Sequence, residues 1–512
     1  MELDRDLHSI QEVRDLIRRA QEGQRQFAEW NQARVDALVE SVAASCASQA
    51  EPLARMAAEE TGFGNWRDKT LKNMLGSAMT WDYIKDMKTV GVIGGDTARG
   101  ITDVGVGVGV VAALIPSTNP TSTTMYKALI SLKSGNAIVF SPHPNARACV
   151  GATVQLIKDT VRRAGGPDGL VGCIETLTAE ATNELLRHRC IGMILATGGE
   201  AMVRAAYSSG NPALGVGPGN GPAYIEKSAD IAAAVRHIIE SKTFDNGTIC
   251  ASEQSIVTES GIEREVVDEL KRQGAHLLDE AESRSVAAIL MRSGGGMNPR
   301  IVGKTACAIA QMAGIDVPPD TKVLVSRQSE VSGHNPYSRE KLCPVLGFYV
   351  EKDWRAACDR CMEILRNEGA GHTMTIHSED ESVIREFALK KPVSRLLVNT
   401  AASLGGVGAT TNLPPALTLG CGAVGGSATS DNVTPMHLIN IRRVARNARE
   451  LSSLRAQSAE GASSAGAGSA GLEADPRQPQ GGPAKASVVS PANFSREDIE
   501  AITRAVLNRL RK

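Results

Sequence analysis

Three apolar runs, each closed by a proline- or glycine-marked turn and followed by a helical pattern, constrain this chain more than any other feature. They are VVAALIP, ending at residue 116, AIVFSP, ending at 142, and IGMILATGG, ending at 199. Helices are predicted from about Thr121, Asn145 and Glu200. Strands alternating with helices call for a parallel, doubly wound sheet, because parallel neighbours need a long crossover. Such sheets bind ligands beyond the carboxyl ends of their strands, so IPSTNP, FSPHP and ATGG are predicted to converge on one cleft. A second series runs from Ile231 to about Asn412, with TKVLVS, LGFYV, TMTIHS and RLLVNT, and is long enough for a second lobe. Ahead of both, residues 6–60 carry Leu7, Ile10, Val13 and Ile17, then Val35, Leu38, Val39 and Val42, at helical spacing. Residues 89–106 change to glycines and β-branched residues and read as a hairpin.

Charge balance removes several function classes. Lys and Arg number 56 against 57 Asp and Glu, so the net charge of -1 gives no field for nucleic acid or an anionic membrane. The first twenty residues alternate charge with apolar residues and do not read as a signal peptide. The longest apolar run, 104–115, is broken by glycines and falls short of the ~20 residues that span a bilayer. Ten cysteines over 512 residues suggest a reducing, cytoplasmic setting rather than a disulfide framework. After Arg455 the composition becomes Ala, Gly, Ser and Pro, which reads as a flexible linker over 455–493. Residues 494–512 end the chain with Ile499, Ile502, Val506 and Leu510 on one stripe, an amphipathic helix suited to a partner's groove.

The strongest chemical signal is SKTFDNGTICASEQS at 241–255, where Cys250 has Asp, Asn, Gly, Thr and Ser for neighbours instead of an apolar run. A nucleophilic thiol needs partial exposure and groups that favour its thiolate, whereas a packing cysteine needs neither. Thr197, Gly198 and Gly199 open a helix whose N–H groups suit a pyrophosphate. Cys358 and Cys361 fall on a helical pattern without a second cysteine or histidine pair, so no metal is expected. The glycines of GVGVGV at 105–110 do not complete a dinucleotide fingerprint and read as sheet geometry.

With IPSTNPTST at 115–123, FSPHP at 140–144, AAYSSGNPALGVGPGN at 205–220, EKLCPVLGFY at 340–349, GAGHT at 369–373 and LTLGCGAVGG at 417–426, the chain resembles the CoA-acylating aldehyde dehydrogenases. It is similar to the aldehyde half of bifunctional aldehyde/alcohol dehydrogenases and to acylating enzymes of bacterial microcompartments, over roughly residues 8–450. The resemblance implies an α/β aldehyde dehydrogenase-like fold of two doubly wound parallel-sheet lobes, with an oligomerisation hairpin and a flexible C-terminal tail. Residues 1–228 would form the N-terminal helices and NAD-binding domain, 229–412 the catalytic domain, and 413–454 a return segment on the cofactor domain. Cys250 would be the nucleophile, and Asn119 with the Cys250 backbone N–H would receive the oxyanion. Ser141, Pro142 and His143 would hold the adenosine, Glu340 the nicotinamide ribose, and Gly217 would join Thr197, Gly198 and Gly199 at the cofactor.

Hydrolytic relatives carry a glutamate base in a Glu-Leu-Gly-Gly motif. The corresponding stretch here, Ala213 to Gly219, has no carboxylate. Its glycines admit a conformational role at positive φ, but that does not restore a base for water. A CoA thiol needs less base assistance than water, so acyl-CoA is the expected product. The expected function is therefore oxidation of a short aldehyde, propanal or acetaldehyde, with NAD and CoA. The tail at 494–512 would be an encapsulation peptide contacting microcompartment shell or cargo proteins, and a dimer or tetramer is expected. The alternatives are a non-acylating or reductive dehydrogenase of the same fold, or a structural cargo adaptor. His372 and Cys421 are read as packing or orienting groups, with the role of His372 open.

Overall fold

The structure, a computed structural model, describes residues 4–292 and 296–456. The expected encapsulation helix and nearly all of the expected linker lie outside the described residues. Residues 1–446 form one unit and a second begins at Asn447, of which the described residues 447–456 are exposed.

The helices Arg5–Phe27, Gln32–Ser48 and Ala50–Thr61 follow the predicted apolar spacing and bury Val13, Ile17, Val35, Leu38, Val39 and Val42. Next comes the hairpin of β1 (Gly91–Asp96) and β2 (Ile101–Gly107). The first parallel sheet then takes β3 (Val110–Ile115), β4 (Ala137–Pro142), β5 (Val171–Cys173), β6 (Ile191–Ala196) and β7 (Ala213–Gly215), in the order β5-β4-β3-β6-β7. All six residues of β3 and all six of β4 are buried, as expected of central strands covered on both faces.

The second sheet holds β8 (Gly221–Ile225), β9 (Glu253–Glu259), β10 (Ala275–Leu278), β11 (Val323–Arg327), β12 (Val345–Glu351), β13 (Gly371–His377) and β14 (Val393–Val398). Their order is β10-β11-β12-β9-β8-β13-β14, all in parallel register. The chain thus passes from one sheet to the other between Gly215 and Gly221, before residue 228 where the sequence reading divides the lobes. The difference arises because GPAYI, enclosed by glycine-rich residues, is a buried central strand paired with β9 and β13. Finally β15 (Ile439–Ala445) returns to pair antiparallel with β2, closing a three-stranded sheet with the hairpin.

The glycines of GVGVGV serve this geometry. A Cβ on Gly105 would lie 2.3 Å from the Thr89 carbonyl oxygen, and one on Gly107 would lie 2.6 Å from Asn136 Oδ1. No helix among the described residues is long and apolar enough to cross a membrane.

Candidate active site

The carboxyl ends of β3, β4 and β6 open onto one cleft of ≈ 570 Å³. Ser117, Thr118 and Asn119 line it after β3, His143 and Asn145 after β4, and Thr197, Gly198 and Gly199 after β6. From the second sheet's side come Thr248, Cys250 and Glu340, with Gly217 and Pro218 crossing between. Cys250 is the one cysteine among the described lining residues, and Glu340 the one carboxylate.

Cys250 follows a turn that few sequences could hold. Asp245 at φ 49° and Asn246 at φ 53° are left-handed, followed by Gly247 at φ 78°. Non-glycine residues in that region carry a conformational cost that surrounding contacts must offset. Those contacts centre on the buried Asp245 side chain. Its Oδ1 accepts from the Asn65 backbone N–H at 2.8 Å, and its Oδ2 accepts from Lys69 Nζ at 2.9 Å, Lys72 Nζ at 2.5 Å and Thr248 Oγ1 at 2.7 Å. Asn246 donates its amide to the Gly303 carbonyl at 2.9 Å.

Burial pushes the Cys250 thiol up to about 12, with Glu340 acting in the same direction, while Arg395 and the cysteine's own backbone N–H favour the thiolate. Arg395 is a buried cation whose acceptors are all uncharged: Thr373 Oγ1, Asn432 Oδ1, and the carbonyls of His372, Gly420 and Ser430. The Asp431 carboxylate acts on it from outside that set, and the Arg395 charge acts on the thiol.

Asn119 occupies the N-cap position of the helix Pro120–Lys133 but makes no side-chain cap hydrogen bond, although asparagine is favoured there for that purpose. Its Oδ1 instead accepts from Lys72 Nζ at 2.7 Å, and its Nδ2 donates to Thr118 Oγ1 at 3.2 Å. An amide has two N–H bonds, so one donor direction remains on the side of the cleft that Asn119 lines.

Glu340 accepts the Gly219 backbone N–H at 2.9 Å, and burial pushes its carboxyl up to about 8. Gly199 caps the helix Glu200–Tyr207, and a Cβ built on it would meet nothing within 4 Å, so a ligand can approach its backbone. A helix N-terminus with bare glycine, a threonine hydroxyl and a carboxylate along one cleft suit a dinucleotide's pyrophosphate and ribose hydroxyls. His143 lines the same cleft, with burial lowering its pKa. Ser141 and Pro142 lie at the end of β4 but do not line the cleft. Ser141 is buried, with its hydroxyl 3.3 Å from Thr182 Oγ1.

The glycines of ALGVGPG differ from the sequence expectation, since Gly215, Gly217 and Gly219 are not at positive φ. Close approach is the reason for two of them. A Cβ on Gly219 would lie 1.7 Å from the Cys250 carbonyl oxygen, and one on Gly215 would lie 2.7 Å from Val203 Cγ1. Lys69, Lys72, Asp245 and Arg395 are functional candidates that the sequence reading did not identify. Cys358 and Cys361 lie buried on the helix Trp354–Asn367, and Cys421 is buried. No cluster of His, Cys, Asp or Glu among the described residues could hold a metal ion.

His372 packs beside Arg395, and burial lowers its pKa to about 3; His377, facing His237, is lowered to about 3 as well. Both stay neutral in the folded protein at pH values where an unfolded histidine, near 6.5, takes a proton. On these two histidines only the unfolded state gains protons between those limits, so their contribution to stability falls as pH drops from about 6.5 towards 3, while Glu340, raised to about 8, works in the opposite sense. Each histidine should cost about 1.4 kcal/mol between pH 7.5 and 5.5. Urea midpoints at the two pH values, in wild type and His377→Asn, check this: going from pH 7.5 to 5.5, the variant's stability should change about 1.4 kcal/mol more favourably than that of wild type.

Comparison with known proteins places these features in context. A family model described as "Aldehyde dehydrogenase family" matches residues 6–284. The chain is 40% identical over 448 residues to the bifunctional aldehyde-alcohol dehydrogenase AdhE of Escherichia coli (strain K12), covering 86% of this chain and 50% of that protein. It thus spans about half the length of that relative. Among solved structures it is similar to an acetylating aldehyde dehydrogenase from Geobacillus thermoglucosidasius, at 50% identity and TM-score 0.87, covering 88% of this chain and 99% of the other. Two propionaldehyde dehydrogenases match at 27% identity and TM-score 0.77, covering 85% of this chain and 97% of each. One comes from the fucose utilisation bacterial microcompartment of Clostridium phytofermentans. The other, from Rhodopseudomonas palustris, has bound CoA and an acylated cysteine.

Proposed function

The chain belongs to the aldehyde dehydrogenase family, and from that premise we propose that it is a CoA-acylating enzyme oxidising a short aldehyde, propanal or acetaldehyde, with NAD. One observation carries the acylating reading. The cleft that holds Cys250 and Asn119 contains Glu340 as its one carboxylate among the described residues, and the stretch Ala213 to Gly219, which corresponds to the Glu-Leu-Gly-Gly motif of hydrolytic relatives, brings only Val216, Gly217 and Pro218 to its lining.

The Cys250 thiol gives up its proton to solvent and the sulfur attacks the aldehyde carbonyl, forming a C–S bond as the C=O π bond opens to an oxyanion. Asn119 Nδ2 and the Cys250 backbone N–H are the donors for that oxygen, and they gain strength as its charge develops. Thr197, Gly198, Gly199, Gly217 and Glu340 would hold NAD, which when bound would supply the two-electron acceptor for the hydride of the aldehyde carbon. The acyl group is left on Cys250 as a thioester. The CoA thiol loses its proton as its sulfur adds to the thioester carbonyl, the oxyanion reforms against the same donors, and the C–S bond to Cys250 breaks to release acyl-CoA, the Cys250 sulfur taking up a proton in turn. A thiol attacking a thioester needs less proton removal than water does, which suits a cleft without a second carboxylate.

Val92, Ile441 and Val444, exposed on the sheet of β1, β2 and β15, support assembly as a homo-oligomer. The amphipathic pattern of 494–512, together with similarity to a microcompartment enzyme, supports a cargo role in which that segment contacts shell or cargo proteins.

NADH absorbance with propanal and with acetaldehyde tests the chemistry. Steady turnover is expected only with CoA, and without it at most one NADH should form per site. Catalytic turnover without CoA would mean that water is activated and the acylating reading fails; no NADH under either condition would reject the aldehydes chosen. A protein ending at residue 455 should keep the turnover and lose co-sedimentation with shell proteins.

A further inference from the structure

A cluster of buried charges stands beside the cleft. Asp245 is paired with both Lys69 and Lys72, and the three side chains are at most 3% exposed. One lysine would neutralise the carboxylate. The second also feels the Asp68 carboxylate, which accepts the Asp245 backbone N–H at 2.7 Å, so two lysines face two carboxylates and each ammonium has donors left for other partners. Each lysine also reaches the turn after β3. Lys69 Nζ donates to the Thr118 carbonyl at 3.0 Å, which holds the backbone, and Lys72 Nζ donates to Asn119 Oδ1 at 2.7 Å, which holds the side chain. Lys72 Nζ also donates to Thr248 Oγ1 at 3.1 Å, two residues before Cys250.

A carboxamide is nearly symmetric in shape, but only its nitrogen end can donate to an oxyanion. An ammonium group has donors alone, so it accepts only the oxygen end as its partner. Asn119 also has a competing arrangement available. At the N-cap of Pro120–Lys133 its Oδ1 could turn to the helix's free N–H groups, as asparagines in that position commonly do. That cap bond is not made.

We propose that Lys72 is a positioning residue that locks the Asn119 carboxamide with its nitrogen end available to the cleft, from a frame at Asp245 that also holds the turn leading to Cys250. This rests on the acylating reading, in which Asn119 receives the oxyanion. The ammonium both selects the amide's orientation and withholds its oxygen from the helix cap. Lys69 and Asp245 remain a neutral pair when Lys72 is replaced, so the frame retains its own ion pair.

The experiment compares Lys72→Met and Lys72→Gln in the wild-type and Asn119→Ala backgrounds, with wild-type turnover measured alongside. Lys72→Met should lower kcat about 10- to 30-fold, a part of the 10²–10³-fold typical of a lost oxyanion donor, with KM for the aldehyde changed less than about twofold. Lys72→Gln, which keeps an N–H for Oδ1, should recover part of the loss. In the Asn119→Ala background Lys72→Met should add less than about twofold, because the group it acts through is gone. An equal loss in both backgrounds, or an unchanged kcat in Lys72→Met, would overturn the proposal. A separate measurement does not depend on the Lys72 variants folding. Asn119→Asp places a carboxylate against the Lys72 ammonium and should raise the Tm relative to Asn119→Leu; an equal or lower Tm would also overturn the proposal. A wild type without CoA-dependent turnover would reject the acylating reading instead.

Discussion

Cys250→Ser should lose about 10⁴-fold or more in turnover while its thermal unfolding stays within a few degrees of wild type. Serine keeps the shape of the side chain, so the cleft and its neighbours are retained. The chemistry is not. The site already disfavours an anion at this position, pushing even the thiol up to about 12, and a hydroxyl starts several pK units higher than a thiol. An ester formed on serine would also be a poorer acyl donor to the CoA thiol than a thioester. The NADH burst without CoA should vanish together with steady turnover, since both begin with the same bond to sulfur. Cys421→Ala is the matching control: Cys421 is buried outside the lining of the cleft and should retain most of its turnover. Residual activity above about one per cent in Cys250→Ser would identify a second nucleophile.

The sequence pointed to Cys250 because a polar neighbourhood is a poor place for a packing cysteine, and local composition reports that directly. The strand ends were similarly legible: buried runs closing in Pro, Asn or Gly mark where a parallel sheet exposes its carboxyl edge, and β3, β4 and β6 deliver them to one cleft. The lysine frame was not legible. Lys72 and Asp245 are 173 residues apart, and DKTLKN reads as a solvated helix face because nothing nearby in the chain reveals that both lysines are buried. Short strands were missed for another reason. β5 and β7 have three residues each, too few for any periodicity to register. Asn119 stood between the two cases. A turn before proline explains an asparagine there equally well, and only the unmade cap bond and the Lys72 contact separate the alternatives.

Gly219→Ala should lower kcat by about 10²–10³-fold, although the change adds one methyl group and removes no reactive atom. The residue is not at positive φ, so alanine is not excluded by backbone conformation. It is excluded by its neighbour. The new Cβ would lie 1.7 Å from the Cys250 carbonyl oxygen and 2.7 Å from its carbonyl carbon, both backbone atoms that no rotamer change can move. The loop cannot retreat freely either, since the Gly219 N–H is held by Glu340 at 2.9 Å. Relief of the clash requires a shift of about 1.5 Å, shared between the nucleophile's peptide and the Glu340 contact, and a misplacement of about 1 Å at a reacting centre can cost 10²-fold. Both the sulfur and the backbone N–H that serves the oxyanion belong to the residue whose carbonyl must move. The Tm should fall as well, whereas Gly151→Ala, in the helix Arg147–Arg163 with nothing within 4 Å of its added Cβ, should keep full turnover and gain up to about 1 kcal/mol. Rates of Cys250 alkylation in the two variants would locate the cause. Altered alkylation in Gly219→Ala alone places the damage at the nucleophile; a Gly219→Ala enzyme with wild-type kcat would mean that the two backbones separate at no cost and that this contact does not set the position of Cys250.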